Sequence, residues 1–172
     1  AAAGIYTVRV TLNDGQTETS QEMTVAVNEA GAGQDQTAFT ISKMQVKLVF
    51  TASGKDALSL SGTIPIPVGF TPSGKVVRAM IGGLDDAITL NAKGQGAANN
   101  ASLKLSGKAK KGVFTASPAK FQYKIGKRTL LESLQRFGFA NDNFPNGVRV
   151  SVQVVFTIDG VIYVRDALLT YK

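Results

Sequence analysis

Apolar and polar side chains alternate along most of the chain. Met44, Val46, Leu48 and Phe50 alternate with Lys43, Gln45 and Lys47, and Leu58 and Leu60, interleaved with Ser59 and Ser61, lead in the same phase to Ile64 and Ile66. Ile88 and Leu90, then Leu103 and Leu105, give two shorter runs, and Phe121, Tyr123 and Ile125 alternate with Lys120, Gln122 and Lys124. The longest run sets Val148, Val150, Val152, Val154, Phe156 and Ile158 against Arg149, Ser151, Gln153 and Thr157. A period of two, with one greasy and one wet face, belongs to antiparallel strands covered by a core on one side. Clusters of Gly, Pro, Asn and Asp separate the runs at the short intervals of sandwich folds. The pattern predicts an all-β protein, with residues 38–172 forming an antiparallel β-sandwich of roughly eight strands.

Two local signals sharpen that outline. Asp159-Gly160 lies between two apolar runs and fits a two-residue type I′ turn, whose central residues both need positive φ. It predicts a hairpin over 148–171. Thr129 followed by Glu132 fits a capping box, Leu130, Leu131, Leu134 and Phe137 share one helical face, and Gly138 is placed to end the helix. One short helix is therefore expected, plugging an end of the sandwich.

Charge divides the chain. Residues 1–37 hold one base, Arg9, against Asp14, Glu18, Glu22, Glu29 and Asp35, a net of −4, whereas 38–172 hold 18 bases against 7 acids, a net of +11. Between the two lies Ala30-Gly31-Ala32-Gly33-Gln34-Asp35-Gln36, without apolar periodicity, which reads as a flexible joint. The expected organisation is a hairpin over 1–29, a linker over 30–37 and a sandwich domain over 38–172.

The first segment reads Gly4-Ile-Tyr-Thr-Val-Arg-Val-Thr-Leu12, then Asn13-Asp14-Gly15, then Met23-Thr-Val-Ala-Val27. Residues 4–28 resemble the last two strands of an immunoglobulin-like module, most of all the PKD-type repeats of large secreted bacterial proteins. These often close with a G-x-Y-x-V strand, a D-G turn and a T-V-x-V strand. The resemblance implies that Tyr6 is a tyrosine-corner residue, whose hydroxyl locks the corner by bonding to nearby backbone. A complete module needs about seven strands, and an isolated two-stranded hairpin is marginal in water. Three arrangements follow: the chain is a fragment of a longer one, the hairpin packs on residues 38–172, or it completes another molecule's sheet. The stretch from Phe50 to Pro67, and more loosely the rest of the chain, is similar to modules near the C-terminal ends of large extracellular proteins of planctomycete-like bacteria. The two resemblances together imply an immunoglobulin-like sandwich and a secreted, cell-surface setting. Absent Cys and abundant Ser, Thr, Gly and Ala suit such a setting, and Ala1-Ala2-Ala3 would suit the residues after a signal-peptide cleavage.

The 172 residues include no Cys, no His and no Trp. That removes thiolate and imidazole metal sites, disulfides, and Ser-His-Asp or Cys-His catalysis. No apolar run approaches the roughly 18 residues of a membrane-spanning helix. Asn141-Asp142-Asn143-Phe144-Pro145-Asn146-Gly147 offers oxygens in a tight loop but only one carboxylate and no closing Glu, so it reads as a polar turn rather than a calcium loop. Asp85-Asp86 is the one adjacent acid pair and reads as a turn, its side chains pointing to opposite faces if the backbone is extended. No pair of acids presents itself for glycoside hydrolysis. The three Ser-Gly-Lys triplets, at 53–55, 73–75 and 106–108, lack the spacing of a phosphate-binding loop. No cofactor or metal site is expected.

What remains is a basic concentration. Lys104, Lys108, Lys110, Lys111, Lys120 and Lys124, with Lys127, Arg128 and Arg136, face a single acid, Glu132, within 104–136. Such a patch attracts anionic polysaccharide, phosphate backbones or an acidic protein surface, and equally suits a solvated strand face whose lysines blunt edge pairing. Phe121 and Tyr123 fall on the opposite face, as core residues would, which leaves no stacking platform and argues against nucleic acid. The expected function is a non-catalytic extracellular structural, adhesive or assembly module. Its partners would be other domains of a longer chain or neighbouring subunits, engaged by strand pairing through Tyr6, Val8, Val10, Met23, Val25 and Val27. The alternative is a carbohydrate-binding accessory domain using the basic face.

Overall fold

The computed structural model describes residues 4–13, 15–27, 36–49, 51–134 and 149–171. The chain divides into two compact units, Ala1–Gly33 and Gln34–Lys172. Its fold is mostly β, as the alternation implies. The expected polar turn over 141–147 and the helix end at Phe137 and Gly138 lie outside the described residues.

The first unit is an antiparallel ribbon of β1 (Gly4–Asn13) and β2 (Glu18–Val27), paired rung by rung from Gly4↔Val27 to Asn13↔Glu18. Asn13 Oδ1 accepts the Gly15 N–H at 2.7 Å, an Asx turn that starts the connection. Alternation puts Tyr6, Val8, Val10 and Leu12 on one face with Val25, and Arg9 on the other, donating to Ser20 Oγ at 2.8 Å.

In the second unit a 3₁₀ turn at Gln36–Ala38 leads into β3 (Thr40–Lys47) and β4 (Asp56–Ile64). There follow β5 (Val76–Ile81), β6 (Leu84–Thr89), β7 (Gln95–Ala98), β8 (Ala101–Ser106), the short pair β9 (Ala109–Lys110) and β10 (Val113–Phe114), and β11 (Ala119–Arg128). After a single helical turn, α1 (Leu131–Leu134), come β12 (Arg149–Ile158) and β13 (Val161–Tyr171). Nine of these strands form one sheet in the order β6-β5-β12-β13-β3-β4-β11-β8-β7. All neighbours are antiparallel except β13 and β3, parallel through Thr170↔Gln45 and Tyr171↔Val46.

The expected division into two stacked sheets is not confirmed, because the ladder runs unbroken through nine strands and curls until its ends nearly meet, like a barrel. At the closure the Asn91 N–H donates to Gln95 O at 2.8 Å. Gly96 allows the approach, since a Cβ there would lie 2.2 Å from Thr89 O. Curling is how a β protein removes exposed sheet edges, which short alternating segments permit as readily as a sandwich.

The inward face is the greasy one. Leu58, Leu60, Leu103, Leu105, Phe121, Tyr123, Val152, Val154, Phe156 and Leu169 are all at most 2% exposed. Phe39 sits among Phe121, Phe156 and Tyr163, with ring centroids 6.1, 6.0 and 5.9 Å away, the separations of favourable tilted and edge-on aromatic pairs. Tyr163 hides its hydroxyl by donating to Pro65 O at 2.9 Å. Leu130 and Leu134, both fully buried, belong to the same core. The turn between β12 and β13 has Asp159 at φ 50° and Gly160 at φ 80°, the two positive values that a type I′ turn demands.

Candidate functional site

Two buried carboxylates stand out in the second unit, and both are committed to holding the fold. Asp86, 1% exposed, points inward from β6 and receives the Tyr123 hydroxyl at 2.6 Å and Arg128 Nη1 at 2.7 and 2.8 Å. Asp85, next to it, points outward and pairs with Arg78 of β5, which holds its carboxyl below the usual range. The opposite-face reading of this acid pair holds, but the residues lie in a strand rather than a turn. Asp56, 4% exposed, accepts the Val49 N–H through Oδ1 and the Leu130 N–H through Oδ2, each at 2.7 Å, tying the loop after β3 to the start of α1. The Thr129 hydroxyl accepts the Gly54 N–H at 3.0 Å and shares a hydrogen bond with Ser53, so it too ties the helix to the 51–54 turn. Burial pushes the phenol of Tyr163 up to about 12, and burial, reinforced by the Asp86 hydrogen bond, raises that of Tyr123 still further. Among the described residues, no group of three or more acidic side chains is placed to hold a metal ion.

The predicted lysines separate into two sets. Lys104 on β8 and Lys120 and Lys124 on β11 project from the outer face of the large sheet, and all three are exposed. Their register partners are polar: Lys104 lies opposite Gln122, Lys124 opposite Ser102, and Lys120 opposite Ser106. Lys108, Lys110 and Lys111 belong instead to the β9–β10 hairpin and the segment leading to it, with Lys111 at φ 51° and Gly112 at φ 79° forming its turn. Phe121 and Tyr123 point into the core, as their phase against the lysines implies.

Pairing beyond β8 and β11 adds residues whose partnership was invisible in the sequence. One cross-strand row runs Lys43, Ser61, Gln122, Lys104, Gln95, through β3, β4, β11, β8 and β7. The next row runs Gln45, Ser59, Lys124, Ser102, Ala97. An open groove of about 500 Å³ follows this face along β7, β8 and β11, lined by Asn91, Gln95, Ser102, Lys104, Gln122 and Lys124 among others. The alternation of Lys43 with Met44 and of Lys124 with Tyr123 marks each lysine as outward-facing. Only the register shows that they share one surface.

In the ribbon, Tyr6, Val8, Val10 and Val25 share an exposed face, and Val27 is half-buried. Met23 takes its place in the ladder opposite Val8, but its side chain lies outside the described residues. Among the described residues no helix is long and apolar enough to cross a membrane.

No protein-family model matches the chain, and no curated protein or solved structure shows significant similarity to it. The resemblance of residues 4–28 to the end of an immunoglobulin or PKD-like module, and of 38–172 to exported bacterial modules, is thus unconfirmed by comparison.

Proposed function

We propose that the protein is a non-catalytic structural or adhesive module of a bacterial extracellular assembly, acting through strand pairing and surface contact. The observation that carries this reading is the apolar face of the β1–β2 ribbon, where Tyr6, Val8, Val10, Leu12 and Val25 are between 38 and 71% exposed. Two strands alone cannot bury such a face, and among the described residues they pair only with each other in the ladder, so both are edges onto which further strands can add. Partner strands would come from neighbouring subunits or from other domains of a longer chain. The resemblance to PKD-type modules supports the same assignment, since such modules complete exactly this kind of ribbon with further strands. Commitment of both buried carboxylates to internal hydrogen bonds supports a non-catalytic role.

Sedimentation velocity over a range of concentrations tests the reading. The chain should self-associate, and Val8→Asp with Val10→Asp should return it to monomer without changing its near-ultraviolet circular dichroism. A chain that stays monomeric throughout, and behaves identically with both substitutions, overturns assembly by strand pairing between subunits.

A further inference from the structure

We propose that the outer face of β3, β4, β11, β8 and β7 binds an anionic polysaccharide, a sulfated or carboxylated chain lying across the strands. This is independent of the ribbon and of its assembly role. The surface differs from a merely basic one in how its charges are placed.

Apart from the buried Asp56, the described acids of the second unit lie off these five strands: exposed Glu132 is on α1, and exposed Asp166, on β13 next to β3, lines a pocket with Lys43. Asp56 and Asp86 are buried in internal bonds, Asp85 is paired with Arg78, and Asp159 with Lys75. The outward positions of the five strands, by contrast, read Lys43, Gln45 and Lys47 on β3, then Ser59, Ser61 and Thr63 on β4. They continue with Lys120, Gln122 and Lys124 on β11, Ser102, Lys104 and Ser106 on β8, and Gln95 and Ala97 on β7. None is acidic. Lys104 is the diagonal neighbour of both Lys120 and Lys124, a relation that brings backbone positions within about 7–8 Å. Three like charges so placed repel one another with no counter-charge on their own face, and a bound polyanion relieves that repulsion. Lys43 lies in Lys104's row, three strand spacings away, or about 14 Å, but shares a pocket with Asp166, so the positive field centres on β8 and β11.

The side chains between the lysines select the class of polyanion. Ser59, Ser61, Ser102, Ser106, Gln122 and Gln95 offer both donors and acceptors, which match the hydroxyls of sugar rings. Single-stranded nucleic acid would need exposed aromatic rings for stacking, and the aromatic side chains of β11 face the core. Duplex recognition needs a helix or ribbon that enters a groove, whereas this face is the outside of a sheet. Membrane binding needs apolar side chains to insert, and none of the exposed large hydrophobic residues lies on these five strands.

The test uses the full chain, with heparin as the sulfated probe, polygalacturonate as the carboxylated one, and dextran and single-stranded DNA as comparators. Titration calorimetry at low and moderate salt should show binding to heparin or polygalacturonate that weakens steeply as salt rises, and none to dextran. Lys104→Glu with Lys124→Glu should lower affinity at least tenfold. Lys110→Glu with Lys111→Glu, an equal change of charge on the β9–β10 hairpin, should lower it less than threefold. Ser61→Ala with Gln122→Ala, which leaves charge untouched, should weaken binding measurably. Equal losses from the two charge pairs would mean that net charge alone attracts the probe and would overturn the site. So would tighter binding to single-stranded DNA than to either polysaccharide, or no binding at low salt. Lys104→Gln with Lys124→Gln replaces the Glu pair if that variant does not fold, with the same expected order.

Discussion

The Tyr123 hydroxyl donates to Asp86 Oδ2 at 2.6 Å across the interior, from β11 to β6, two strands that do not share a ladder. Arg128, five residues further along β11 and past the register shift after Gly126, brings the positive charge that a buried carboxylate requires. The three side chains therefore fasten β6, at one margin of the sheet, to β11, two strands in from the other.

Removing the members of this network should cost unequal amounts. Tyr123→Phe deletes one hydrogen bond to a charged group and leaves Asp86 still paired with Arg128, which costs about 1.5–3 kcal/mol. Asp86→Ala leaves both the phenol and the guanidinium without the carboxylate, and costs about 3–5 kcal/mol. Urea unfolding of the two variants checks the order, and a Tyr123→Phe variant as unstable as Asp86→Ala would contradict it.

Alkaline pH should destabilise the fold in a defined window. Tyr123 and Tyr163 both have phenol pKa values raised above the ordinary 10, chiefly by burial. Between pH of about 10 and 12 the unfolded chain loses these protons while the folded chain keeps them, so stability is complete below pH 10 and falls as pH rises. Phenolate absorbance followed against pH should show two tyrosines ionising late, together with loss of the folded circular-dichroism signal. Tyr163→Phe should soften the alkaline decline.

Asp56 should matter far more than its sequence position suggests. Asp56→Ala strands the Val49 and Leu130 N–H groups, and loss of two charge-assisted bonds predicts a cost of about 3–5 kcal/mol by denaturant titration. Asp85→Ala breaks an ion pair whose side chains are 53 and 41% exposed, and should cost under about 1 kcal/mol.

Closure of the sheet predicts a contrast between two glycines. At Gly96 an added methyl would collide with Thr89 O at 2.2 Å and Ile88 Cγ2 at 2.6 Å, both from the opposite margin. Gly96→Ala should destabilise by about 2–3 kcal/mol, in the range of overpacked interiors. Gly126→Ala, where nothing lies within 4 Å, should change stability by less than about 1 kcal/mol. Equal effects at the two positions, measured by thermal melts, would mean that the margins are not pressed together there.

Local signals were legible and distant ones were not. The β12–β13 hairpin follows from Asp159-Gly160 because a two-residue turn fixes its own register, Ile158↔Val161 onward. Alternation located the inward residues of β4, β8, β11 and β12 for the same reason: it needs no partner. By contrast, β3 beside β13, and β6 against β7, join residues more than a hundred positions apart or depend on curvature, for which a two-residue period carries no information. Asp86 illustrates the gap. Its burial depends on Tyr123 and Arg128 arriving from β11, so in the sequence it looks like any acid next to a glycine turn. The lysine face was half visible, since the phase of each lysine was readable but not that Lys43 and Lys104 share a row.

Because β3 and β13 are parallel neighbours, they also set how the second unit bears a pull along the chain. A pull applied at the start of β3 and the end of β13 would draw the two strands past each other lengthwise. Sliding of this kind strains the rungs of the flanking β3–β4 and β12–β13 ladders all at once, whereas peeling a hairpin from its open end breaks them singly. Shear of this kind meets more resistance than peeling does.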